Sequence, residues 1–275
     1  NNGVDTDDSS LYSCMLGSDY GKQMKKAGKW LDEYLKEEEE KKAEKEKAAS
    51  EAPTQEESEQ TDSEDTEVNT DSSKATDRSA SIFDKIMKSS STAKDETDST
   101  EEEQTEEDIT IKIAAIQESI GSEEQLMRAQ GYQTMLERYS DWEMVAQQTG
   151  DNSREEAEKV MKLFLEQEPD LRVVFAESDE MALGAIDAIE KSGKTCGEDG
   201  DIIVISFGGS KAGIEAVKEG KLNVTFECNP GQGPKAAELI QRLESDISID
   251  KEQYVEETYF DGTMDLDEII ENRTY

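Results

Sequence analysis

Polar and apolar positions divide the chain into three zones. From residue 109 onward, short β-rich apolar runs alternate with stretches whose apolar residues recur every three to four positions. The runs at 111–117, 143–148, 171–176, 202–207 and 223–227 read as strands. The stretches at 123–138, 154–167, 180–192, 211–219 and 233–244 read as helices. Strands this apolar, separated by helices, predict a parallel sheet covered on both faces. Near the start, 11–16 reads as a strand. A helix follows in which Met24, Ala27, Leu31 and Leu35 share one face. Between these zones, residues 37–108 carry 26 acidic and 9 basic residues and few apolar ones. Residues 37–49 have helix-forming composition and extend the preceding pattern. The remainder cannot bury enough apolar surface to offset chain entropy and is expected to be a disordered acidic insertion. Its one apolar island, 82–87, reads as an isolated helical turn.

Local signals agree with the pattern. Ser122 to Gln125 and Ser153 to Glu156 fit the capping box, in which a hydroxyl and a side chain three residues on satisfy each other's backbone amides. Gly193 and Gly220 stand where helices should end.

Composition then narrows the function. The net charge is −38 and histidine is absent. No His-based acid–base pair or His-ligated metal can form. A surface this negative repels nucleic acid backbones and anionic membranes. Cys14, Cys196 and Cys228 are far apart, and no CxxC pair suggests a zinc cage or redox site. No apolar run is long enough to span a membrane. Neither GxGxxG nor GxxxxGK[ST] occurs, so no phosphate loop is indicated. The expectation is a binding protein and not an enzyme, with no cofactor.

In an open α/β sheet the ligand sits beyond the carboxyl ends of the strands. There the sequence offers Gly17-Ser18-Asp19-Tyr20, Ser119 to Ser122 leading to Arg128, Glu177-Ser178-Asp179-Glu180, Gly208-Gly209-Ser210, and Cys228-Asn229-Pro230. Carboxylates, amides and a guanidinium among small residues suit a polyhydroxylated ligand, because each hydroxyl both donates and accepts. Asp19 and Asp179 could equally cap helices. Arg128 could be a solvated helix residue, and Asn229-Pro230 a turn.

As a set these residues are familiar. The run from Phe175 to Lys194 resembles the signature of ribose/galactose-type periplasmic sugar-binding proteins. The stretches 202–209 and 216–225 are similar to the next block of that family. Residues 226–234, 254–260 and 272–275 resemble its galactofuranose-binding subgroup. The resemblance implies a type I periplasmic-binding-protein fold: one complete doubly wound parallel-sheet lobe plus a remnant of the other. It divides the chain into an N-terminal-lobe remnant (1–36), the insertion (37–108), the C-terminal α/β lobe (109–231), a helix returning to the N-terminal lobe (232–246) and a C-terminal tail (247–275). The family's first lobe ordinarily begins well upstream of Gly17, so an N-terminally truncated fragment without its signal peptide is implied.

The implied function is that of an extracytoplasmic solute-binding component of an ABC transporter, periplasmic or lipid-anchored at the cell surface. It would bind a pentose, hexose or furanose sugar between two lobes and deliver it to permease subunits. The effector core of a LacI-type regulator shares the fold and is the alternative. Carried over by position, Asp19, Arg128, Asp179 and Asn229 are the expected ligand-binding residues. The chain departs from the family at Ser178, where Asn is usual, at Gly208, where Asp is usual, and at Met24, where Gly is usual.

Overall fold

The computed structural model describes residues 8–50 and 110–275. Six strands form the main sheet in the order β3-β2-β4-β5-β6-β8. These are β2 (Ile111–Gln117), β3 (Trp142–Thr149), β4 (Val173–Ala176), β5 (Ile203–Gly208), β6 (Val224–Glu227) and β8 (Tyr259–Asp261). The first five run parallel, and β8 closes one edge antiparallel to β6. Two further strands, β1 (Met15–Gly17) and β7 (Glu252–Tyr254), pair in parallel as a separate ribbon.

Alternation along the strands builds two cores, because successive side chains point to opposite faces. Ala114, Ile116, Val174, Ala176 and Val204 face one layer, formed by α3 (Arg154–Gln167), α4 (Asp179–Ser192), α5 (Lys211–Lys218) and α7 (Leu266–Asn272). Ile113, Ala115, Val173, Phe175, Ile203 and Ile205 face the other. That layer holds α1 (Tyr20–Ser50) and α2 (Glu123–Arg138). Helices on both faces make the sheet doubly wound, as expected.

Residues 1–36 were assigned to a different lobe; β1 does stand apart, paired with β7, but α1 packs on the main sheet. Its Met24, Ala27 and Leu31 are buried in one cluster with Ile113, Val173 and Phe226. Residues 37–49 were read as extending the helical pattern, and α1 runs unbroken to Ser50. The physical reason is a set of polar ties below the apolar stripe. Glu38 is buried and ion-paired with Arg172, whose guanidinium also donates to the carbonyls of Gly200 and Asp201. Tyr34 accepts a hydrogen bond from Asn223 Nδ2 at 3.0 Å. The rest of the expected insertion, including the island at 82–87, lies outside the described residues.

Methionine in place of the family's glycine at position 24 has a partner. A Cβ on Gly131 of α2 would lie 2.5 Å from the Met24 Cβ. Glycine at 131 therefore makes the room that Met24 fills. The stretch 247–275, expected to be a tail, supplies β7, β8 and α7. Helix α6 (Gly233–Glu244) lies between β6 and β7 and buries Leu239, while Ile240, Leu243 and Ile247 remain exposed.

Candidate functional site

The order of winding reverses at β2, which has β3 on one side and β4 on the other. Ligands bind beyond the carboxyl ends of strands at such a switch point. The residues that follow β2 and β4 are Glu118 and Glu177, and they meet there. The Glu118 backbone N–H donates to Glu177 Oε2 at 2.9 Å. Around them opens a cleft of about 560 Å³ lined by Tyr20, Glu118, Glu124, Arg128, Phe207, Cys228 and neighbouring loop residues.

Local structure aims each side chain. Ser122 caps α2, accepting from Gln125 N at 3.1 Å, and Gln125 Oε1 accepts in return from Gly121 N. That start turns Arg128 inward, two turns along the helix. Arg128 is 1% exposed. Its Nη1 donates to Glu118 Oε1 at 3.2 Å, and the guanidinium lies between the rings of Tyr20 and Phe207, 4.9 and 4.7 Å from their centroids. Such cation–π packing holds a charge where water is scarce.

Glu177 is equally buried, at 1% exposure. Burial pushes its carboxyl up to about 7, and the Glu118 charge adds to this, although Arg128 and the Glu118 amide pull it down. The Tyr132 hydroxyl faces it without a hydrogen bond of standard geometry, so Tyr132 Oη and Glu177 Oε1 are both buried and unpartnered. Arg128 Nε is a third such atom.

Of the four expected ligand residues, the fold brings two to this cleft. Arg128 and Asn229 line it. Asn229 also makes a turn, its Oδ1 accepting from Gly231 N at 2.7 Å. Asp19 and Asp179 are not among the lining residues. Asp19 caps α1 by accepting from Lys22 N at 2.8 Å. Asp179 is not a cap, because Ser178 holds that position. The Asp179 carboxylate instead accepts from Ser206 Oγ at 2.6 Å, Thr225 Oγ1 at 2.7 Å and Ser210 N at 2.7 Å, clamping the ends of β5 and β6 to the start of α5.

This arrangement also accounts for glycine at 208. That residue has φ +152, and a Cβ there would lie 2.6 Å from Asp179 Oδ2. Any side chain on this backbone would meet the Asp179 carboxylate where it now sits.

Sequence reasoning named Tyr20 and Glu177 within the strand-end loops without choosing either as a ligand residue, and it missed Glu118 and Phe207. The signal was present: Glu118 and Glu177 are the first residues after two adjacent strands.

A third loop closes the site. Ser18 Oγ and Asn229 N both donate to Glu257 Oε1, at 2.6 and 2.8 Å, and Gln23 Nε2 donates to Glu257 Oε2 at 2.8 Å. One carboxylate thus ties together the three crossings between the main sheet and the β1–β7 ribbon with α6.

An open α/β sheet with a polar cleft at its switch point is the architecture of a binding domain. The chain belongs to the periplasmic binding protein domain family, whose model matches residues 58–246. It is 34% identical over 133 residues to the ribose import binding protein of Salmonella typhimurium, covering 48% of this chain and 43% of that protein. Two solved structures share the fold. One, from Mycobacterium smegmatis in complex with β-D-fucofuranose, has TM-score 0.64 and 23% identity, over 99% of this chain and 66% of that one. The other is the periplasmic binding component of the arabinose ABC transporter from Shewanella sp. ANA-3, bound to L-arabinofuranose. Its TM-score is 0.64 at 20% identity, over 100% of this chain and 70% of that one. The chain spans less than half the length of the curated relatives it matches. These curated relatives are named as binding proteins and not as enzymes.

Proposed function

We propose that this chain is the solute-binding component of an ABC importer, acting outside the cytoplasm, and that it takes a monosaccharide in the cleft at the β2–β4 switch point and delivers it to permease subunits. The observation that carries the reading is the cleft itself. It sets a fully buried guanidinium, the Asn229 amide and the Ser178 hydroxyl around two aromatic faces. A sugar ring presents hydroxyls to such polar groups and C–H faces to such rings. Its size is ordinary for a small-molecule site. The names of the relatives, which include ribose and galactofuranose binding proteins, point to pentoses, hexoses and furanose sugars.

The contacts we propose are made by Arg128 and Asn229. Asp179 and Asp19 support them, the first by fixing the loop at Gly208 and the second by fixing the start of α1. Calorimetric titration of the chain against D-ribose, D-galactose and L-arabinose tests the reading. At least one should bind, and Asn229→Ala should weaken it by about tenfold, the equivalent of one lost hydrogen bond of about 1.4 kcal/mol. Absence of binding by all three, or an unchanged affinity in the variant, defeats the assignment. Delivery is tested by reconstituting the permease in vesicles and measuring stimulation of its ATPase by the loaded chain.

A further inference from the structure

We infer that the cleft selects a ligand carrying a positively charged amine, an amino sugar or aminated polyol, over its neutral counterpart. The inference rests on the proposal that this cleft is the ligand site, and it deepens that proposal by naming the substrate class.

Three carboxyl groups line the cleft, Glu118, Glu124 and Glu177, and among the described residues Arg128 is the one basic side chain there. Arg128 cannot neutralise all three. Its Nη1 is bonded to Glu118, its flat faces are covered by Tyr20 and Phe207, and its Nη2 points at Cys228 Sγ, 3.6 Å away. The Tyr20 hydroxyl donates to Glu124 Oε1 at 3.3 Å, which satisfies one oxygen without changing the charge.

The second observation is independent of charge counting. Glu177 is buried, lines the cleft, and keeps one oxygen with no hydrogen bond of standard geometry, the Tyr132 hydroxyl facing the carboxyl without closing one. A buried carboxyl group left half-satisfied is a costly arrangement, most of all when it is ionised. A cation placed against it relieves that cost, whereas a hydroxyl supplies one hydrogen bond and no charge. The carboxylates also bear on one another. Glu124 holds the Glu118 carboxyl up after burial has raised it, and Glu118 does the same to Glu177. An ammonium seated between Glu118 and Glu124, near Glu177, reverses the repulsion at all three.

The experiment compares size-matched pairs by calorimetry at pH 7: D-glucosamine against D-glucose, and D-galactosamine against D-galactose, with N-acetyl-D-glucosamine as an uncharged 2-amino derivative. The amino sugar of at least one pair should bind about tenfold or more tightly than its neutral partner and its acetylated form. Glu118→Gln and Glu124→Gln should each shrink that ratio to about threefold or less. Glu124 is partly exposed, so its variant folds even if loss of the Glu118 partner unsettles Arg128. Neutral sugars binding as tightly as amino sugars would overturn the inference and leave the sugar-binding reading standing. So would a preference that survives in both variants. Absence of binding by every probe would defeat both.

Discussion

Glu177 connects burial to a measurable dependence on pH. Its carboxyl is pushed up to about 7 by burial, opposed by Arg128 and by the Glu118 amide, with Glu118 and Tyr132 as its other neighbours. In the unfolded chain the same group titrates near its ordinary value of 4.5. Between those two values the folded state holds a proton that the unfolded chain releases. Stability from this site therefore falls as pH rises from about 4.5 to about 7, by an amount on the order of 2–3 kcal/mol. Glu177→Gln keeps an acceptor for the Glu118 amide and removes the titration. Urea midpoints measured from pH 5 to 8 should show the variant gaining on the parent as pH rises, and parallel curves would refute the assignment. Asp179 is the opposite case, a buried acid with both oxygens hydrogen-bonded. Asp179→Ala leaves two buried hydroxyls and one amide without an acceptor, at roughly 1–3 kcal/mol each before relaxation. A loss of at least about 3 kcal/mol, with Asp179→Asn losing less, is expected in denaturant melts. A loss below 1 kcal/mol would mean that the clamp is not structural.

At the scale of elements, the sequence was most legible where one signal acted alone. The spans of α2 and α3 match their periodicity, and β2 matches its apolar run, because each buries a regular face; α6 matches its span too, although Leu239 is its one buried residue. That the main sheet is parallel and covered on both faces followed from strand–helix alternation. What could not be read was which sheet a helix packs on. Met24, Ala27 and Leu31 announce a buried stripe, but periodicity carries no address. Strands β7 and β8 are three residues each, too short to show alternation. The site was half legible for a similar reason. Asp179 has the composition of a ligand, and only the hydroxyls of Ser206 and Thr225, distant in sequence, reveal its structural use. The packing of α1 makes its own prediction. Leu31 is fully buried against the main sheet. Leu31→Ala should destabilise the whole sheet by about 2–5 kcal/mol in one cooperative transition. If the main transition is unmoved, α1 does not belong to this core.

At the scale of the whole molecule the dominant fact is the charge. Of the −38, residues 37–108 contribute a surplus of 17 negative charges, and the remaining 21 lie on the rest of the chain. Ion pairs such as Arg154–Asp187 and Arg273–Glu227 offset only part of this locally. Charge of one sign opposes compaction through self-repulsion, and ionic strength screens it between exposed groups more than about 10 Å apart at 0.1 M salt. Exposed pairs lose strength in salt as well, but each is worth no more than about 1 kcal/mol and many contribute nothing. Long-range repulsion among tens of uncompensated carboxylates is the larger effect. Raising sodium chloride from about 10 mM to about 150 mM should therefore raise the melting temperature by several degrees, since roughly 1 kcal/mol corresponds to about 2–4 °C in a chain of this size. Sodium chloride is the right salt, because sulfate would also strengthen burial of apolar surface such as Ile240 on α6, 56% exposed. Calorimetric scans at pH 7.5 across that range decide it. A melting temperature that falls with salt would mean that specific ion pairs, and not net repulsion, govern the electrostatics of this fold.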